Sequence, residues 1–130
     1  MTAVTIFVCV SCRRHLGEDD ESFDQPGRGL ADAIEARLQG DRPARLAVAV
    51  TAVDCLAVCK RPCTVAFSSA DKWTYLIGDL DPESHVDEIV SAAKSFAASE
   101  NGIVPWRERP ASFRKGVIAR VPPINHKEKQ

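Results

Sequence analysis

The segment Leu46-Ala-Val-Ala-Val-Thr-Ala-Val53 is almost continuously apolar and ends immediately before Asp54 and Cys55. A short apolar run that is rich in β-branched residues predicts a β-strand buried on both faces. A second run of this kind, residues 4–8, lies near the start of the chain and is followed by Cys9. The sequence therefore predicts two buried strands, each with a cysteine at its carboxyl end.

One helix is predicted between these two strands. Its buried face is indicated by three apolar residues spaced four positions apart: Leu30, Ile34 and Leu38. The polar segment 13–29 is predicted to be a loop that leads to this helix, and Gly40 is expected to end it. Two strands joined by a helix are expected to be parallel neighbours, so their carboxyl ends share one edge of the sheet. Cys9 and Cys55 are therefore expected at the same edge.

The rest of residues 1–103 completes an α/β pattern. Thr64 to Phe67 and Trp73 to Ile77 predict an antiparallel hairpin. A second helix is predicted to begin with Asp81 as its N-cap and to end near Gly102. Its apolar stripe contains Val86, Ile89, Val90, Ala93, Phe96 and Ala97. The predicted order is β-α-β-β-β-α, which is the order of a thioredoxin-like fold with a mixed sheet and helices packed on it.

Composition indicates one domain with its own core. The chain has 130 residues, of which 45% are hydrophobic, so it does not need disulfides to be stable. Residues 104–130 are predicted to form an irregular, basic extension that packs on the same domain. The start of the chain lacks a basic leader and a run of membrane-spanning length, and the basic tail lacks interleaved aromatic residues. We expect a cytoplasmic protein that binds neither membrane nor nucleic acid.

All five cysteines lie in two short segments that follow the predicted strands: Cys9, Cys12, Cys55, Cys59 and Cys63. In a reducing compartment, clustered thiols are expected to be metal ligands rather than disulfides. Thiolates favour zinc, Cu(I) or iron–sulfur clusters over hard cations. Structural zinc sites usually combine C-x2-C pairs on small domains that need the metal to fold, whereas Cys55 and Cys59 are spaced C-x3-C. The spacing therefore favours a [2Fe-2S] cluster over zinc.

Two other functions remain open on the residues alone. One is a protein that binds and delivers zinc or cobalt without a redox role, and the other is a dithiol oxidoreductase that uses Cys9 and Cys12. Cys63 also has two interpretations, a small buried apolar residue at the start of a strand or an alternate metal ligand. No serine–histidine pair in a defined setting or phosphate-binding loop accompanies the thiols. The sequence thus favours a carrier or binding protein over an enzyme.

Four segments together resemble the DUF1636 family of predicted metal-binding proteins: Val8–Arg13, Cys55–Phe67, Trp73–Leu80 and Ala119–Pro123. The cysteine pairs that follow the first and second strands are also similar to those of the thioredoxin-like [2Fe-2S] ferredoxins. This second resemblance implies that a cluster is bound by Cys9, Cys12, Cys55 and Cys59. It further implies an electron carrier with an unidentified redox partner protein, as a monomer or a homodimer. The DUF1636 resemblance implies a link to cobalamin metabolism, and it supplies no activity that can be carried over to this chain.

Overall fold

The protein is an α/β domain built on one mixed sheet. The computed structural model describes residues 4–10, 14–15, 23–24, 26–57 and 63–124. Its elements, in chain order, are strands β1 (Val4–Cys9), β2 (Arg14–His15) and β3 (Phe23–Asp24), helices α1 (Gly27–Gln39) and α2 (Arg42–Ala47), strands β4 (Val48–Val53), β5 (Val65–Ser68) and β6 (Thr74–Ile77), helix α3 (Val86–Ala98), a 3-10 turn (Trp106–Glu108), helix α4 (Ser112–Lys115) and strand β7 (Val117–Val121). None of the helices within these ranges is long and apolar enough to cross a membrane.

The sheet has the strand order β4-β1-β5-β6-β7. β1 and β4 are parallel and are connected through α1 and α2, which confirms the predicted pair of parallel neighbours joined by a helix. β5 is antiparallel to β1, and β6 is antiparallel to β5, which confirms the predicted hairpin. The short strands β2 and β3 pair with each other, apart from the main sheet.

Helices α1 and α3 supply most of the helical part of the core. The predicted apolar face of α1 is confirmed, because Leu30, Ile34 and Leu38 are all buried. These side chains and the buried residues of α3 form one cluster with alternate residues of β1: Val4, Ile6 and Val8. At its centre, the Phe67 ring lies 5.9 Å from the Phe96 ring and 5.2 Å from the Phe113 ring. The helices α3 and α4 therefore close over the same part of β5.

The strand predicted from Leu46 begins at Val48 instead. Leu46 belongs to α2, whose Arg45 N–H donates to the Asp41 carbonyl, and the Leu46 side chain is 65% exposed. β4 is an edge strand of the sheet, and Val48 is its one fully buried residue. The prediction of a strand buried on both faces is wrong for β4, because its other five residues are half-buried or exposed.

Helix α1 begins earlier than predicted, at Gly27, inside the segment 13–29 that the sequence assigns to a loop. The N–H of Leu30 donates to the Pro26 carbonyl over 2.9 Å and so closes the first helical turn. The loop prediction is therefore wrong at its carboxyl end. The first turn of the helix cannot be predicted from hydrophobic periodicity, because the apolar side chains that indicate the helix begin only at Leu30.

Helix α3 begins after the turn at Asp81, not at that residue. The Asp81 carboxylate accepts the N–H of Glu83 over 2.9 Å, and His85 Nδ1 accepts the N–H of Asp81 over 2.9 Å. These two hydrogen bonds satisfy the polar groups locally, so the acidic residue stabilises a separate turn rather than the helix. The helix also ends at Ala98, before the predicted end near Gly102.

The segment after residue 104 contains regular structure that the sequence does not predict. β7 pairs antiparallel with β6, with Ala119 opposite Leu76, and forms the second edge of the sheet. The prediction of an irregular extension is wrong for this strand. A short edge strand of half-buried and exposed residues has no clear apolar alternation, so its backbone pairing with β6 is what defines it.

Candidate metal centre

The predicted ligands Cys9 and Cys55 lie where two parallel strands end. Cys9 is the last residue of β1 and is opposite Val53, the last residue of β4, and Cys55 follows Val53 by two positions. We call this end of the sheet, defined by Cys9, Val53 and Cys55, the thiol edge. The prediction that the two cysteine segments leave the sheet at one edge is confirmed. The other two predicted ligands, Cys12 and Cys59, lie outside the described residues.

Cys9 is the inner thiol of this edge, since its side chain is 0% exposed. Its N–H donates to the Thr64 carbonyl over 3.0 Å, so β1 stays hydrogen-bonded to the sheet as far as the thiol. The Cys9 thiol donates to the Asp54 carbonyl over 3.9 Å. Because Asp54 directly precedes Cys55, this contact joins the first cysteine segment to the second in space.

Cys55 is exposed, and its sulfur accepts a hydrogen bond. The donor is the N–H of Ala57, at 3.1 Å from Cys55 Sγ. Ala57 has a φ of +62°, in the left-handed region that a Cβ atom disfavours. N–H donors beside ligand sulfurs orient the ligands and adjust the properties of metal–thiolate sites. The second cysteine segment thus presents a sulfur that is accessible and held in place.

Cys63 lies in the hydrophobic core, 0% exposed. Its N–H donates to the Leu80 carbonyl over 3.1 Å, and the Leu80 N–H donates to the Cys63 carbonyl over 3.1 Å. This pair of backbone hydrogen bonds fixes the residue in the sheet region just before β5. The position is the one expected of a small buried apolar residue, the first of the two interpretations of Cys63.

Helix α1 begins against the first cysteine segment. A Cβ atom on Gly27 would stand 1.9 Å from the carbonyl oxygen of Cys9 and 2.9 Å from the Cα of Val10, so the backbones meet at a distance that only glycine allows. Sequence reasoning missed this role, because Gly27 falls in the segment assigned to a loop. The available signal was Pro26, since a proline just before a periodic apolar run marks a helix start.

The electrostatics of the thiol edge favour negative charge. α1 begins beside Cys9, where a Cβ atom on Gly27 would meet the Cys9 carbonyl oxygen. The first turn of a helix carries N–H groups without intrahelical partners and a partial positive charge. A group of thiolates, or a cluster held by them, is anionic, so the start of α1 on this side stabilises it.

Within the described ranges, no three cysteine, histidine or carboxylate residues come together in a way that could hold a metal ion. Two of the four predicted ligands lie outside those ranges. The described half of the predicted donor set is therefore Cys9 and Cys55, which adjoining strand ends bring to one edge. Two thiols from separate segments at one edge can form one side of a tetrahedral or bridged thiolate site.

Comparison with known proteins identifies a family and a fold. The family model DUF1636, described as a protein of unknown function, matches residues 6–123. No curated protein matches the sequence.

Solved structures match over almost the whole chain. A thioredoxin-like [2Fe-2S] ferredoxin from Aquifex aeolicus has a TM-score of 0.63 and 19% sequence identity, and the match covers 98% of this chain and 100% of that one. A structure of the wild-type form of a thioredoxin-like [2Fe-2S] ferredoxin from Aquifex aeolicus has a TM-score of 0.59 and 20% sequence identity. This match covers 92% of this chain and 99% of that one. A cysteine-to-serine variant of a thioredoxin-like [2Fe-2S] ferredoxin from the same organism has a TM-score of 0.57 and 21% sequence identity. This match covers 89% of this chain and 98% of that one. At identities this low, the structural matches establish the fold alone. They confirm the predicted thioredoxin-like arrangement.

Proposed function

This chain belongs to the DUF1636 family, and we propose that it is a metal-binding protein whose two cysteine segments hold a [2Fe-2S] cluster. Its proposed role is that of a small electron carrier. The proposed ligands are Cys9, Cys12, Cys55 and Cys59. The ferredoxins of the same fold that match this chain are named for such a cluster, which supports the proposal at the level of the fold.

The observation that carries the proposal is the register of β1 against β4. Cys9 is opposite Val53, and the Cys9 thiol contacts the carbonyl of Asp54, the residue before Cys55. Each cysteine segment therefore starts at the thiol edge. A second cysteine lies within a few positions of each start, at Cys12 and Cys59. Four thiolates from two adjoining segments are the ligand set that a [2Fe-2S] cluster requires.

The chemistry of the donor set fits this group. Thiolates are the preferred ligands of iron–sulfur clusters, and the cluster, when bound, would supply a centre that accepts and releases one electron. The chain's own contribution is to orient the sulfurs. The Ala57 N–H holds Cys55 Sγ, and the contact of Gly27 with Cys9 fixes the end of β1.

The two described ligands have different environments, and this difference assigns them different roles. Cys9 is fully buried, so in the proposed site it is the ligand on the protein side. Cys55 is exposed, so it is the ligand on the solvent side, where iron enters and where a partner approaches. Cys63 is left out of the proposed set because its side chain belongs to the core cluster.

The proposal includes a cellular setting. The partner is a redox protein that docks over the solvent side of the site, and the carrier works in the cytoplasm as a monomer or homodimer, without nucleic acid or membrane. A link to cobalamin metabolism follows from the family resemblance.

The test is purification of the full chain without oxygen, followed by optical and electron paramagnetic resonance spectra. The proposal predicts a red-brown protein with about two iron and two sulfide ions per chain, bleached by dithionite. A colourless protein with stoichiometric zinc would instead indicate metal binding and delivery. A metal-free protein that reduces a disulfide substrate, and loses this activity in Cys9→Ser, would indicate a dithiol oxidoreductase. Either result would overturn the cluster proposal.

A further inference from the structure

The two edge strands of the sheet differ in how well they are protected against pairing with a further strand. β7 has a register shift in its pairing with β6, contains the exposed Arg120 and is followed by Pro122 and Pro123. Charged residues, irregular pairing and prolines are the features that prevent further pairing at the edges of natural sheets. β4 has none of these features, because the segment Val48–Val53 contains neither a charged residue nor a proline and its register with β1 is regular.

The backbone groups on the outer side of β4 can be assigned from one hydrogen bond. The Val10 N–H donates to the Val53 carbonyl over 3.0 Å, so the polar backbone groups of Val53 point toward β1. Along a strand, the N–H and C=O groups of successive residues point to alternate sides. Those of Val48, Val50 and Ala52 therefore point away from β1, to the side on which no strand of the described residues pairs. Because Ala52 is also exposed, this side is open to another strand.

The charges at the two ends of β4 indicate which strand fits this edge. Arg42 and Arg45 are exposed and lie in α2 directly before β4, and Asp54 is exposed and directly follows it. One end of the strand is therefore basic and the other is acidic. An antiparallel second copy of β4 brings Arg45 of each copy near Asp54 of the other, whereas a parallel copy brings like charges together. The edge is thus complementary to itself in the antiparallel direction only.

We propose that the β4 edge is a dimer interface, at which β4 pairs antiparallel with β4 of a second copy of this chain to form one continuous sheet. The two-fold axis is perpendicular to the sheet, so one residue of β4 faces its own equivalent across the axis. Pairing centred on Thr51 places Val50 opposite Ala52 and Val48 opposite Asp54. Every outward-pointing residue from Val48 to Asp54 then exchanges backbone hydrogen bonds with a partner.

The proposed interface also involves Leu46, a large apolar side chain that is 65% exposed in the single chain. Leu46 lies just before β4, where the antiparallel copy brings the residues that follow its own Val53, so we expect the dimer to cover it in part. The two thiol edges lie at opposite ends of the paired strands, which keeps the two proposed metal sites apart. The inference goes beyond the proposed function and does not depend on it, because the interface is a strand edge that needs no metal.

The first experiment measures the mass of the metal-free, reduced full chain by analytical ultracentrifugation at concentrations up to about 100 μM. The inference predicts that the wild type is a dimer. In Thr51→Lys two like charges face each other at the axis, which is destabilising, so the dissociation constant should rise at least about tenfold. A wild type that remains monomeric would overturn the inference and leave the edge to a strand of another protein. An equally stable dimer in Thr51→Lys would also overturn it.

The matched control is Val121→Lys, which adds the same charge at an exposed residue of the opposite edge strand, β7. Its dissociation constant should equal that of the wild type. An equal loss of the dimer in Val121→Lys would overturn the inference, because the effect would then come from the added charge and not from its position. Circular dichroism of both variants checks that the fold is retained, as expected for substitutions of exposed residues.

Amide hydrogen exchange in the wild type distinguishes this interface from a dimer formed elsewhere, and it decides the inference even if Thr51→Lys does not fold. Exchange at the Val50 and Ala52 amides should be at least about tenfold slower in the dimer than in dilute, monomeric protein, because only the second copy supplies their acceptors. The Ala49 and Val53 amides point toward β1 and should change much less. Rates at Val50 and Ala52 that are equal in dimer and monomer would overturn the inference.

Discussion

The backbone of Gly27 touches the backbone of Cys9 so closely that a methyl group at position 27 would lie 1.9 Å from the Cys9 carbonyl oxygen. This contact joins the first turn of α1 to the last residue of β1. It fixes the point at which the chain leaves the sheet and enters the first cysteine segment. The packing of a helix on a strand thus sets the position of the Cys9 thiol.

Gly27→Ala should destabilise the metal-free protein by about 3 kcal/mol, because the backbone of Cys9 and Val10 must move to admit the added carbon. The matched control is Gly29→Ala, two residues along the same helix, where an added Cβ meets nothing within 4 Å. That variant should be more stable than the wild type by about 0.5–1 kcal/mol. Urea unfolding followed by circular dichroism measures both. Equal effects in the two variants would contradict the assigned contact.

Substitution of the cysteines should distinguish the proposed metal ligands from the core residue Cys63 by their effect on metal binding. Cys55→Ser and Cys59→Ser should each abolish stoichiometric metal binding, because each removes one thiolate from the proposed set. Cys63→Ala should retain the metal and lose about 1 kcal/mol of stability, since it leaves only a small cavity in the core. Metal analysis of the three variants, purified without oxygen, makes the comparison. Equal metal loss in all three would show that the ligand assignment is wrong.

The segment after residue 104 should be held to the sheet by Arg109. Its guanidinium donates to the Val104 carbonyl over 2.8 Å and to the Tyr75 hydroxyl over 3.3 Å, and lies 5.3 Å from the Tyr75 ring centroid. Arg109→Met should therefore cost about 1–2 kcal/mol of stability and expose this segment to limited proteolysis. Arg107→Met, an exposed neighbour, should change stability by less than about 0.5 kcal/mol. Identical proteolysis of both variants would contradict this.

Much of the fold follows from local signals in the sequence. The apolar run before Cys9, the face of α1 and the hairpin of β5 with β6 each have a strong pattern of their own. The rule that a helix joins parallel neighbours then places Cys9 and Cys55 at one edge without any information on their chemistry. Local pattern and topology are sufficient for these parts, because most of their apolar residues are buried, as their side chains favour.

Other parts depend on contacts that the sequence does not display. Leu46 is apolar but exposed in α2, and the edge strand β7 is defined by pairing with β6. The acidic Asp81 stabilises a turn rather than a helix start. At the candidate site, the roles of Gly27 and Ala57 come from a backbone contact and a backbone hydrogen bond. Glycine and alanine carry no side-chain chemistry, so no motif would reveal them.

The central claim is that the sulfurs of Cys9 and Cys55 belong to one inorganic centre. Its most direct test is an anomalous difference map, measured at the iron absorption edge, from crystals of protein loaded and grown without oxygen. The account predicts a pair of iron peaks at the thiol edge, within bonding distance of Cys9 Sγ and Cys55 Sγ. Iron bound elsewhere, or an edge at which the two sulfurs face apart with no metal between them, would contradict it.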